Sequence, residues 1–117
     1  MAAATVNLPV VEKGSTYRHS LTWKDSSNIP INLIGASARM QIRESYLSTS
    51  PLIELNTFNG RITISPGLGK IDLYISAEDT TTLEGIGGIY DLEVIFTSGD
   101  ITRLIEGKII FKPEVTR

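Results

Sequence analysis

Residues Ile89 to Thr97 alternate without a break. Tyr90, Leu92, Val94 and Phe96 fall on one face; Asp91 and Glu93 fall on the other. A period of two marks a strand with one face in a core and one in water. The same pattern sets Ala36, Ala38, Met40 and Ile42 against Ser37, Arg39, Gln41 and Arg43. It also puts Ile62 and Ile64 inward, and Ile71, Leu73 and Ile75 inward after the turn Pro66-Gly67-Leu68-Gly69, which predicts a hairpin. The chain holds 16 Ile and 12 Thr against 6 Ala, so β-branched residues that suit a pleated surface dominate over good helix formers.

Weaker signals fill in the rest. Thr5 to Glu12 reads as a first strand, with Val6, Leu8 and Val10 on one face; Pro9 within it points to a sheet edge, because proline cannot donate to a ladder. Thr16 to Lys24 alternates, with His19, Leu21 and Trp23 on one face, and Leu52 to Asn56 is a short strand. Ser76 followed by Asp79 is a variant of the capping box, and predicts one or two helical turns ending near Leu83. Ser98-Gly99-Asp100 turns the chain into a last strand, Ile101 to Lys112, with Ile105, Ile109 and Phe111 on one face and Gly107 at an expected bulge. Pro113 ends it.

About eight short strands with frequent turns predict an all-β domain. Connections too short for parallel crossovers favour antiparallel neighbours. The expected architecture is an immunoglobulin-like antiparallel β-sandwich with one short helical turn. It forms a single domain over residues 1–117, with 1–4 and 114–117 as extended arms. Trp23 lies on an early strand, where such sandwiches often bury a tryptophan. Tyr90 stands two residues before Leu92, as the tyrosine of an immunoglobulin corner stands before a cysteine. The expected core is Trp23, Met40, Ile62, Ile64, Ile71, Leu73, Ile75, Tyr90, Leu92, Val94, Phe96, Ile109 and Phe111.

Composition removes several functions. There is no Cys and only one His, so disulfide scaffolds, thiol nucleophiles and most histidine metal sites are excluded. A net charge of −2 argues against a duplex nucleic-acid binder. No apolar run approaches the roughly 20 residues of a membrane-spanning helix. Residues 1–4 lack the basic and apolar regions of a secretory signal.

Candidate chemistry is thin. His19 has no cysteine partner, and no Gly-x-Ser-x-Gly motif occurs. Glu78 and Asp79 would point apart at a helix start, where capping accounts for them. Asp91 and Glu93 share a strand face, and Arg103 on the neighbouring strand predicts a cross-strand charge pair rather than a calcium loop. Gly85, Gly87 and Gly88 match no phosphate-binding motif. Trp23 with Tyr17 could form a sugar-stacking platform only if exposed. The expectation is no enzyme, no cofactor and no metal.

Surplus apolar residues point to interaction instead. Ile110 lies beside Ile109 and Phe111, and Val10 beside Val11, so apolar groups occur on both faces of a strand; Ile29, Ile31 and Ile34 flank a loop. With Val115 in the tail, these seven residues are the expected contacts with neighbouring subunits. They fall in three regions: Thr5 to Val11, Asn28 to Ile34 and Pro113 to Arg117.

Three stretches carry a resemblance. They are Trp23-Lys24-Asp25 with Pro30-Ile31-Asn32-Leu33-Ile34-Gly35-Ala36 and Met40-Gln41-Ile42-Arg43; Gly60-Arg61-Ile62-Thr63-Ile64 with Ile75-Ser76-Ala77-Glu78-Asp79-Thr80; and Tyr90-Asp91-Leu92-Glu93 with Arg103-Leu104, Gly107 and Pro113-Glu114-Val115-Thr116. Together they resemble small virion proteins of tailed bacteriophages and, more distantly, the N-terminal domain of phage baseplate upper proteins. The resemblance covers roughly Tyr17 to Arg117. It implies an immunoglobulin-like domain repeated in a phage particle. In baseplate upper proteins, further segments that hold receptor-binding proteins follow this module. A chain ending at Thr116-Arg117 is expected instead to be a cement, adaptor or baseplate-shell subunit. That makes it a non-enzymatic structural subunit of baseplate or tail, assembled in the host cytoplasm, whose partners are other virion proteins and copies of itself. Alternative roles are a capsid decoration or head-to-tail connector protein, and a carbohydrate-binding module.

Overall fold

A computed structural model of the chain describes residues 3–116. The strands are β1 (Ala4–Thr5), β2 (Val11–Glu12), β3 (Tyr17–Thr22), β4 (Ser37–Arg43), β5 (Ile53–Asn56), β6 (Ile62–Ser65), β7 (Lys70–Ile75), β8 (Gly87–Ile95) and β9 (Ile101–Lys112); a helix, α1 (Ala77–Thr81), joins β7 to β8. They form two sheets. The larger runs β1-β9-β8-β4-β5, with β2 also on β9; the smaller runs β3-β7-β6. Branched and aromatic side chains from both sheets meet in one core, as in a β-sandwich.

The strongest alternation builds the centre. β8 pairs antiparallel with β4 on one side and β9 on the other, placing Met40, Ile42, Tyr90, Leu92 and Val94 inside. The hairpin β6–β7 turns through a 3₁₀ segment, Pro66–Leu68, which Gly69 ends in the left-handed conformation. Ser76 caps α1 by accepting the Asp79 N–H at 3.1 Å. The buried Thr80 hydroxyl accepts the Gly14 N–H at 3.1 Å and lies 2.9 Å from the Ser15 carbonyl, tying the helix to the chain entering β3.

Several expectations are corrected. β1 and β2 run parallel to β9 because the first segment crosses from the large sheet to β3 in the small one, and so lies alongside the last strand rather than forming a hairpin with it. The segment Thr5 to Glu12 is broken into two short pairings, as Pro9 requires of an edge. The bulge lies at Leu104, between the pairs Leu92–Ile105 and Glu93–Arg103, rather than at Gly107. Gly107 is needed for another reason: a Cβ there would overlap the Val6 carbonyl oxygen. Tyr90 makes no bond to a nearby corner. Its hydroxyl donates to the Val6 carbonyl at 2.6 Å and pins the N-terminal segment.

Of the expected core, Met40, Ile62, Ile71, Leu73, Ile75, Tyr90, Leu92, Val94, Ile109 and Phe111 are buried, while Trp23, Ile64 and Phe96 are half-buried against it. Trp23 and Phe96 pack with ring centroids 5.9 Å apart. The extended arms expected at 1–4 and 114–117 fall partly on Met1, Ala2 and Arg117, outside the described residues. Ala4 is paired on β9, and Val115 is 95% exposed.

Candidate interaction surface

The seven expected contact residues do not form one patch. Val11 is fully buried against Phe111's strand, so its side chain belongs to the core and not to an interface. Ile31 is half-buried, packed on the core with its N–H bonded to the Trp23 carbonyl. Ile29 and Ile34 are exposed, at the end of the molecule where β4 begins. Val10 and Ile110 are exposed at the opposite end. The parallel pairing of Val11 with Phe111 runs Val10 alongside Ile110. Ile86, whose carbonyl accepts the Phe111 N–H at 3.0 Å, is also exposed at this end of the sheet, opposite Phe111 rather than Ile110. Gly87, opposite Ile110, leaves that spot bare. Sequence reasoning missed Ile86. Its signal was an isoleucine between two glycines, with no alternation to draw it inward.

Beside this apolar corner the outer face of the large sheet is charged and self-paired. Arg39 Nε meets Glu93 Oε1 at 2.8 Å, and Arg103 Nε meets Asp91 Oδ2 at 3.4 Å, the cross-strand pair expected from the sequence. Gln41 donates to Glu54 at 2.5 Å, and Arg43 donates to Gln41 at 2.8 Å and to the Ser48 carbonyl at 2.7 Å. Burial raises the Asp91 carboxyl above the usual range, with Arg103 opposing it. Hydrogen bonds from Gln41 and Asn56 hold Glu54 below the usual range. Burial pushes the Tyr90 phenol up to about 12. These carboxylates face guanidinium and amide partners. Among the described residues, no group of three or more His, Asp or Glu could hold a metal ion.

The aromatic platform fails on geometry. Tyr17 is buried, with its hydroxyl donating to the Pro9 carbonyl at 3.2 Å, and Trp23 is half-buried against Phe96. The exposed aromatics are Tyr46 and Phe58, on separate loops. Among the described residues, no helix is long and apolar enough to cross a membrane. Against models of known protein families and against curated protein sequences, the chain finds no match.

The sheet edges complete the surface. On β5, Glu54 and Asn56 point their backbone groups outward. The Glu54 carbonyl accepts from Asn59 Nδ2 at 3.0 Å and Arg61 Nη1 at 2.9 Å, and the Asn56 N–H donates to Asn59 Oδ1 at 3.1 Å. On β3 no such cap exists among the described residues. Trp23 bonds inward to the Gly69 carbonyl at 2.8 Å, so by alternation His19 and Leu21 also face β7 while Arg18, Ser20 and Thr22 point outward.

Proposed function

We propose that the chain is a non-enzymatic structural subunit of a tailed-phage virion, in the baseplate or tail, with an immunoglobulin-like sandwich that joins neighbouring virion proteins. The strand order supports the fold reading. β3-β7-β6 correspond to strands B, E and D of such a sandwich, and β4, β8 and β9 to C, F and G, with β5 in the place of C′. The first segment lies along the last strand, and the helix falls between the strands matching E and F.

The observation that carries the functional reading is the exposure of Val10 and Ile110, each one residue before the paired Val11 and Phe111. Ile110 is held on the longest strand, and Val10 directly precedes the short strand paired with it. Apolar groups on paired strands lose little freedom on docking, so their burial by a neighbour is favourable. Repetition by symmetry lets many modest contacts add up. The acidic groups nearby are engaged in cross-strand pairs, which supports a docking face over a catalytic one.

Purified particles of the encoding phage, probed with antibody to this chain and imaged by electron microscopy, test the proposal. The expected result is label at the baseplate or tail in a fixed ratio to other virion proteins. Ile110→Asp should leave the chain folded and absent from particles. A chain abundant in infected cells but missing from particles overturns the reading; label on the head moves the role to capsid decoration.

A further inference from the structure

We propose that the free edge of β3 is a second docking site, which takes an extended, acidic segment of another protein as an added strand. The inference rests on reading the chain as a docking module, not on the phage setting.

Three observations converge on this edge. First, Arg18, Ser20 and Thr22 turn their N–H and C=O groups away from β7, and none of them finds a partner among the described residues. β3 contains neither proline nor a bulge. The other edges are each managed: β5 by Asn59 and Arg61, the N-terminal edge by Pro9 and its short pairings, and β6 by its four-residue length and Pro66.

Second, the gap between β3 and the N-terminal segment is an apolar groove of about 180 Å³. Val6, Leu8, Leu21, Trp23, Leu104 and Ile105 form most of its lining, with His19 and Thr22 as the polar part. Leu21 and Trp23 are inward-facing residues, yet they are only half-buried, because no strand lies outside β3 to cover them. An added strand would make main-chain bonds to Arg18, Ser20 and Thr22 and point alternate side chains into the groove. The volume suits one or two branched aliphatic side chains.

Third, cations outnumber carboxylates at this edge, with Arg18, Lys24 and Lys70 against Asp25 and Asp72. Arg18 and Lys24, six residues apart, form no ion pair among the described residues; Arg18 lies 4.6 Å from the Tyr74 ring centroid. The neighbouring carboxylates keep their charge but are turned to partners within the chain. Asp25 accepts the Ser27 and Ile29 N–H groups, and Asp72 accepts the Ser20 hydroxyl and faces Lys70. An incoming segment of about six residues, roughly 20 Å long, would reach both cations with an acidic residue near each end. A second copy of β3 fits less well. Pairing about Ser20 would gather four cations on one seam, and it would leave the groove empty, because each β3 already directs its inward side chains into its own core.

Amide hydrogen exchange on the unaltered chain is the first test. Arg18, Ser20 and Thr22 should exchange at least tenfold faster than His19 and Leu21; protection of all three in the free chain overturns the proposal. A displayed library of random heptapeptides is then selected on the chain. Enriched peptides should alternate aliphatic residues, carry Asp or Glu near both ends, and slow exchange at the three outward amides tenfold or more. Ser20→Pro removes an outward N–H and leaves the backbone ladder to β7 intact, losing only the Ser20 hydroxyl bond to Asp72. It should weaken these peptides at least tenfold, whereas Ser20→Ala, which loses the same hydroxyl and keeps the N–H, should weaken them less than threefold. Replacing the peptides' acidic ends with Lys should do the same. Selection of no peptide, of peptides indifferent to Ser20→Pro, or dimerisation of the chain through this edge overturns the assignment. The test uses no particle, so its failure alone would leave the virion reading standing.

Discussion

β5 and β3 are both edge strands, and both lie beside a crossing between the sheets, yet the chain treats them differently. At β5 the turn after Asn56 folds side chains back onto the strand. Asn56 Oδ1 accepts the Phe58 and Asn59 N–H groups, at 2.9 Å and 2.7 Å, while Asn59 and Arg61 cover the outward carbonyl of Glu54. At β3 the outward groups find no partner among the described residues. Mid-strand core side chains register the difference, although Ile53 of β5 is half-buried and Tyr17 of β3 is buried. Leu55, inside β5, has 0% of its surface exposed, whereas Leu21, inside β3, is half-buried. An edge strand closed by its own chain is finished structure, and one left open is material for assembly.

The largest expected effect follows from that contrast. Leu55→Ala should destabilise the chain by about 3 kcal/mol, because a fully enclosed side chain leaves a cavity as well as losing its transfer free energy. Leu21→Ala should cost about 1 kcal/mol, since part of that side chain is already in water. Denaturant unfolding of both variants measures the difference. Equal costs would mean that the two edges are covered alike.

A smaller effect is expected from opening the closed edge. Asn59→Ala removes the acceptor for the Asn56 and Arg61 N–H groups and one donor to the Glu54 carbonyl. The loss should be about 1 kcal/mol, the net worth of exposed hydrogen bonds. The more telling readout is association. With its cap gone, β5 should gain weak self-association by analytical ultracentrifugation and faster exchange at the Asn56 amide. If neither changes, the side-chain cap is not what closes this edge.

Much of the fold was legible because one signal, alternation, is strong wherever a strand has one face in the core and one in water. β4, β7 and β8 carry it over six or more residues, and their buried positions follow from parity alone. Ser76 and Asp79 announced the helix because capping is local chemistry. Partners distant in sequence were not legible. The parallel course of β1 and β2 along β9, the bond from Tyr90 to Val6 and the need for Gly107 all depend on which segment arrives from 84 or more residues away. Val11 shows the limit in one residue. Adjacent to Val10, it could face either way, and only the register with Phe111 buries it. The proposed docking face divides the same way. Val10 and Ile110 were named from their surplus of apolar character, but their adjacency, and the open edge of β3, are properties of pairing.

The last difference between the edges is electrostatic. Arg61 holds the β5 edge through Nη1 and, at 2.9 Å, reaches Asp79 Oδ2 in the first turn of α1 through Nη2. The bond from Arg61 keeps the Asp79 carboxyl below its ordinary value of 3.8. A carboxyl whose pKa is lower in the folded chain adds stability above the unfolded value and loses it as pH falls through the folded one. On acidification from about pH 5 to about pH 2, Asp79 should therefore take up a proton and release Arg61. The Glu54 carbonyl then loses its best-held donor, and amide protection at Asn56 and in α1 should fall relative to the core. In Asp79→Asn the tether is already weakened at neutral pH, so acid should produce less change at these amides. The outward amides of β3 have no such cap to lose, and their exchange should follow the intrinsic pH dependence throughout. An identical acid response in the parent chain and Asp79→Asn would remove Asp79 from the closure of β5 and leave Asn59 to account for it alone.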